Sequence, residues 1–199
     1  MNMSMKTESY RFPDLSPLVN PASVVLVGAS DRRDSIGGRT LVNLVEESDF
    51  RGELYLVNPG RAEIDGRRCW PSVAALPAAP DLAVIAVPAQ AVLPVLRECA
   101  DKGVRFVIAL TSGFGETGEA GKAIEAEMKA IVRDSGMRIY GPNCPGLTNM
   151  NGRLGFTFSP AFKLDLKSGP LGIATQGGGL GRSFLQSMER GTGVGLWCS

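Results

Sequence analysis

The stretch Gly141-Pro142-Asn143-Cys144-Pro145-Gly146 brings a side-chain amide and a thiol together on one stiff corner. It follows the apolar run Met137-Arg138-Ile139-Tyr140, and neither Pro142 nor Pro145 has an N–H for a helix or a sheet ladder. The segment is therefore a rigid turn at a strand's carboxyl end, the edge where open α/β sheets bind ligands. Cys144 could act as a nucleophile only with a lowered pKa. No cation stands beside it in sequence, so it reads as a small packed residue. The 199 residues contain no histidine, which removes the commonest general base, any Ser-His or Cys-His pair, and any phosphohistidine.

Other turns share the small, Gly/Pro-rich character. Gly28-Ala29-Ser30 after Val27 sits where mononucleotide-binding sheets place a phosphate, offering backbone N–H groups and a helix's positive end, although a tight turn alone explains it too. It is not G-x-G-x-x-G, and Asn58 stands where an NAD-binding sheet needs an acid for the ribose, which weighs against NAD. Asn58-Pro59-Gly60-Arg61 sets a guanidinium beside the same edge, suited to the ribose phosphate of NADP or coenzyme A, or simply solvated. In Pro88-Ala89-Gln90, the proline turns the chain outward and small Ala89 lets a flat base approach the backbone. Thr111-Ser112-Gly113-Phe114 ends a further strand on this edge. Gln176-Gly177-Gly178-Gly179 opens a helix whose bare N–H groups could receive an anion, or whose glycines permit close helix–strand packing.

These turns need strands and helices to hold them. Near-continuous apolar runs at Ser23–Val27, Leu54–Val57, Leu82–Val87, Val104–Leu110 and Met137–Tyr140 read as strands covered on both faces. Helix-period runs alternate with them: Gly38–Glu47, Ala91–Lys102 with Val92, Val95, Leu96 and Cys99 inward, and Glu119–Asp134. The alternation predicts a Rossmann-like, doubly wound parallel sheet of the α/β class over residues 1–150. Glu63–Leu76 breaks the rhythm as an irregular connection turning at Asp65-Gly66. Thr148–Pro160 reads as a linker with one short strand. A strand at Leu171–Thr175, a helix at Leu180–Arg190 and a strand at Val194–Cys198 then read as the opening of a second α/β domain within 151–199, cut short inside its last strand.

Composition bounds the rest. At 21.0 kDa and 44% apolar residues the chain can bury a core. With 21 basic and 20 acidic residues it has no global pull toward nucleic acid or an anionic membrane. Cys69, Cys99, Cys144 and Cys198 lack C-x-x-C spacing and read as reduced thiols; without histidine a zinc site has few ligands. No apolar run reaches the roughly 20 residues a membrane span needs, so a soluble, cytoplasmic protein is expected.

Gly28-Ala-Ser30, Ser35-Ile36-Gly37-Gly38, Val57-Asn58-Pro59, Val87-Pro88-Ala89, Thr111-Ser112-Gly113-Phe114 and Gly141–Gly146, in this order, resemble the NDP-forming (ADP-forming) acyl-CoA synthetases, including the succinyl-CoA synthetase α subunit. The resemblance covers nearly all of 15–199. It implies a coenzyme A-binding Rossmann domain followed by a flavodoxin-like one. Coenzyme A would lie over Gly28, Ala29 and Ser30, beside Asn58 and Pro59, with Arg61 near its phosphates. Pro88, Ala89 and Gln90 would meet the adenosine, Ser112 the same edge, and Asn143 and Cys144 the thiol end. Gly177, Gly178 and Gly179 would cap a helix aimed at a phosphate. In the family, acyl-CoA and phosphate give an acyl phosphate, a histidine takes the phosphoryl group, and a nucleotide in an ATP-grasp domain receives it; ATP or ADP with Mg2+ belongs there. That histidine and that domain have no counterpart here, so the chain alone is expected to bind coenzyme A without ligating an acid. A fused or separate ATP-grasp partner, a carboxylic acid of unspecified kind and a homo-oligomer fit this reading. The alternatives are a non-catalytic, regulatory coenzyme A-binding module and, more remotely, an NADP-dependent oxidoreductase.

Overall fold

The computed structural model describes residues 13–163, 167–177, 179, 183 and 192–198. After a short helix α1 (Ser16–Val19), the chain enters strand β1 (Ser23–Val27) and helix α2 (Ile36–Val42). Helix α2 widens into a π-type turn over Asn43–Glu47. Strands β2 (Glu53–Val57), β3 (Glu63–Ile64), β4 (Arg67–Trp70) and β5 (Leu82–Ile85) follow, then helix α3 (Ala89–Lys102), β6 (Phe106–Ala109), helix α4 (Glu119–Ser135) and β7 (Arg138–Tyr140). These seven strands form one sheet in the order β3-β4-β2-β1-β5-β6-β7, parallel except for β3 against β4.

The alternation of side chains along β1 shows why the strands had to be apolar throughout. Val24 and Leu26 join the core beneath α2, whereas Val25 and Val27 join the core beneath α3 and α4. Burying one such side chain is worth about 1.5–3 kcal/mol. Helix α3 presents Val92, Leu96 and Cys99, spaced four and three apart, to that second core. It stops where Gly103 takes φ +87, a left-handed conformation open to glycine, and its N–H bonds back to Ala100.

Two expectations change. The irregular connection at Glu63–Leu76 contains a β-hairpin whose second strand adds to the parallel sheet, pairing Leu56 with Cys69. Its turn is at Asp65-Gly66 as expected, with φ of +49 and +71. The stretch taken as a linker is also a hairpin, β8 (Gly146–Asn149) with β9 (Leu154–Thr157), in register Gly146↔Thr157 to Asn149↔Leu154. Asn151 and Gly152 sit in its tight turn, while Asn149 and Gly155 lie within the paired strands. This hairpin joins β10 (Leu171–Ala174) and β11 (Val194–Cys198) in a second sheet ordered β10-β11-β8-β9. Leu147, Leu154 and Phe156 of the hairpin pack into the same core as Leu26, Leu41 and Leu44, so hairpin and first sheet share one interior. The helix expected at Leu180–Arg190 lies outside the described residues.

Candidate functional site

The strand order reverses direction between β1 and β5, and the carboxyl ends of these strands open into a cleft of about 940 Å³. Its floor is backbone. The Gly28 N–H donates to the Val57 carbonyl at 2.9 Å and the Ala86 N–H to Val27 at 2.8 Å, lacing three strand ends together. Gly28 has φ +90, and a Cβ there would lie 2.6 Å from the Ala86 carbonyl oxygen, so only glycine lets the turn lie this close. Gly37 is tighter still: a Cβ would stand 1.9 Å from the Gly28 oxygen, so helix α2 abuts the turn directly.

Asn58 is a bracket. Its Nδ2 donates to the Ala29 carbonyl at 2.9 Å and its Oδ1 accepts from the Gly60 N–H at 2.9 Å, tying the β1 turn to the β2 turn. On the far side, the Thr111 hydroxyl donates to the Val87 carbonyl at 2.7 Å. One wall of the cleft is the Ala91, Pro94, Val95 and Glu98 face of α3; Arg32 supplies a cation, and Asp34 and Glu98 carboxylates also line it. Val95, expected among the inward residues, is half-buried on this wall. Glu98 Oε2 accepts from the Val73 and Ala74 N–H groups at 2.9 and 3.3 Å, fixing the Pro71–Val73 rim.

A second cleft of about 750 Å³ lies alongside, between the Gly141–Pro145 turn and the strand ends of the second sheet. Gly141 and Gly146 both have φ +104, Asn143 has φ +56, and the Gly141–Pro142 peptide is cis. The Asn143 N–H donates to the Thr111 carbonyl at 2.9 Å, and its Nδ2 meets Glu116 Oε1 at a longer 3.4 Å. Glu116 also accepts from the Gly113 and Phe114 N–H groups at 2.7 and 3.1 Å. The Gly113 N–H, foremost among these backbone donors, holds its carboxyl below the usual carboxylate range. The Cys144 thiol faces the Ala109 and Tyr140 carbonyls at 3.5 and 3.8 Å, and burial pushes its pKa up to about 11. Such a thiol is a packed donor, not a nucleophile.

Of the residues singled out from sequence, Gly28, Ala29, Ser30, Asn58, Pro59, Pro88, Ala89 and Ser112 line the first cleft. Asn143, Cys144, Gly177 and Gly179 line the second; Gly178 lies outside the described residues. Ile36 and Ser112 line both, so the two clefts lie side by side and share these residues as a common border, the neck. Gln90 is exposed and lines neither cleft, and neither does Arg61, whose guanidinium lies 3.5 Å from Asp31 with both side chains more than half exposed. Sequence reasoning missed Arg32, the α3 wall and Glu116. The wall was visible as the second face of a helix whose core stripe was already identified; nothing in the spacing brought Glu116 to Asn143. Among the described residues no three His, Cys, Asp or Glu side chains are grouped to hold a metal ion, and no helix is long and apolar enough to cross a membrane.

Residues 22–150 match the family model of the CoA binding domain. The chain is 43% identical over 175 residues to the acetate–CoA ligase (ADP-forming) I subunit alpha of Pyrococcus furiosus, covering 86% of this chain and 37% of that one. It is 32% identical to the 4-hydroxybutyrate–CoA ligase (ADP-forming) of Nitrosopumilus maritimus, covering 91% of this chain and 25% of that one. Among solved structures, the dinucleotide-forming acetyl-coenzyme A synthetase 1 of Ca. Korarchaeum cryptofilum, in complex with phosphate and ADP, superposes with a TM-score of 0.83 at 36% identity. That match covers 94% of this chain and 39% of the other. The chain thus spans well under half the length of these relatives.

Proposed function

The chain belongs to the CoA binding domain family, and from that premise we propose that it is the coenzyme A-binding part of an ADP-forming acid–CoA ligase. The observation that carries this is the shared border: Ile36 and Ser112 line both a cleft at the β1/β5 switch point and an adjacent one lined by Asn143. A ligand with a phosphorylated nucleotide at one end and a thiol at the other needs two neighbouring compartments, and these two adjoin. The first cleft fits the nucleotide end. Gly28–Ser30 lines it with small residues, Arg32 adds positive charge beside the Asp34 and Glu98 carboxylates, and Pro59, Pro88 and Val95 give apolar walls for a base.

In this reading residues 1–150 bind coenzyme A and 151–199 begin a second α/β unit. Gly28–Ser30 and Arg32 hold the diphosphate, Pro88 and Ala89 receive the adenosine, and Asn143 and Cys144 border the thiol. Arg61 lies at the rim, where a ribose phosphate would compete with Asp31 for its guanidinium. Coenzyme A supplies the thiol that becomes the thioester. Gly177 and Gly179 border the second cleft, where backbone N–H groups suit a phosphate. With no histidine in these 199 residues, a phosphoryl-relaying histidine would lie outside them, and an ATP-grasp domain or subunit would hold ATP or ADP and Mg2+.

Calorimetric titration of the purified chain tests the proposal. Coenzyme A should bind saturably and, at about 100 times Kd, stabilise the fold by about 2.7 kcal/mol. No heat and no thermal shift would remove the reading. Tighter binding of NADPH than of coenzyme A would replace it with a nicotinamide-dependent one.

A further inference from the structure

We infer that Glu116 is a positioning residue that sets which end of the Asn143 amide is offered to the second cleft; this rests on the coenzyme A reading above. A carboxylate has only acceptor oxygens, so the amide beside it must offer its NH2 group. The Asn143 Nδ2 does so at 3.4 Å, which leaves Oδ1 as the acceptor end of an amide that lines the second cleft. The same carboxylate holds the Gly113 and Phe114 N–H groups, next to Ser112 at the neck. Asn143 is itself pinned by its backbone N–H to Thr111 and sits at φ +56, a conformation that asparagine tolerates. With its backbone held, the free variable is the flip of its amide, and Glu116 is the neighbour that decides it.

The ligand group this arrangement selects is a hydrogen-bond donor. The pantetheine arm of coenzyme A carries amide N–H groups and a terminal S–H; the adenosine bisphosphate end would bind in the other cleft and never reach Asn143. Glu116 should therefore matter to half of the ligand.

The test is a titration of the full chain with coenzyme A and, separately, with adenosine 3′,5′-bisphosphate, for Glu116→Gln, Asn143→Ala and the double variant. Glutamine keeps the shape and one acceptor but lets the Asn143 amide turn over. Coenzyme A affinity should fall about 3- to 10-fold in Glu116→Gln, the scale of one hydrogen bond. The bisphosphate should bind unchanged. In the Asn143→Ala background the Glu116→Gln change should cost nothing further, because both act on one contact. Equal losses for the two ligands, additive losses in the double variant, or no loss for coenzyme A would each overturn the assignment. If the wild-type chain binds neither ligand, the coenzyme A reading fails before this one is reached, and the positioning role fails with it.

Discussion

The side-chain amide of Asn43 donates to the backbone carbonyl of Thr157 at 2.6 Å, joining positions 114 residues apart. The same nitrogen reaches the Ser159 carbonyl at 3.2 Å, and Asn43 is only 2% exposed. It sits on the π-type turn that ends α2, so one buried amide ties the helix behind the β1 turn to the hairpin that follows the Gly141–Gly146 corner.

Asn43→Ala removes both donors and leaves two buried carbonyls with one fewer partner, which should cost about 2–4 kcal/mol. Asn43→Asp should cost at least as much, since a carboxylate would face those carbonyls. Urea denaturation gives the midpoints, and a loss below about 0.5 kcal/mol for both variants would show that the contact does not hold the hairpin.

Gly37→Ala places a methyl group 1.9 Å from the Gly28 oxygen, forcing α2 off the turn. A loss of about 3 kcal/mol or more is expected in thermal or chemical unfolding. Gly66→Asn provides the contrast. Its φ is +71 and nothing lies within 4 Å of an added Cβ, so the change should cost no more than about 1 kcal/mol.

Cys144 should resist alkylation. With its thiol pKa near 11 the thiolate fraction at pH 8 is roughly 100-fold below that of an ordinary cysteine. Iodoacetamide labelling read by peptide mass spectrometry, native against urea-unfolded, measures this. Burial also has a linkage consequence. Above the ordinary thiol pKa the unfolded chain has lost a proton that the folded chain keeps, so stability falls as pH rises from about 9 to 11. The slope for this one group is about 1.4 kcal/mol per pH unit. Cys144→Ser should remove that part of the slope, and an unchanged slope would show that this thiol is not the origin.

Arg61→Ala should weaken coenzyme A more than dephospho-coenzyme A, because only the former offers a ribose phosphate to draw the guanidinium from Asp31. Asp31→Asn should do the reverse and tighten coenzyme A selectively. Equal effects on both ligands in both variants would show that Arg61 does not read that phosphate.

Much of the frame was legible in the chain. Strand–helix alternation predicted the parallel sheet, since apolar runs such as Val24–Val27 need both faces covered, and Asp65-Gly66 announced its own turn. The hairpin β8–β9 was not legible. Its four-residue strands include Gly146, Asn149 and Gly155, weak strand formers that are held by pairing with β11 and by packing on Leu41 and Leu44. Strand β4 was missed for the same reason: Arg67-Arg68-Cys69-Trp70 is a strand because β2 has an open edge beside it.

The candidate site divides in the same way. The sequence by itself determined which turns are small, stiff and rich in glycine, because those properties belong to each residue's own backbone. It also determined that none of these 199 residues can do histidine chemistry. Only the tertiary structure decided that Asn58 is a bracket, how far burial raises the pKa of the Cys144 thiol already read as packed, and that Glu116 meets Asn143 across 27 positions. Hydrogen-bond partners, burial and the neck shared by Ile36 and Ser112 depend on distances between segments remote in the chain. Such distances are set by how the two sheets pack, and no local spacing encodes them.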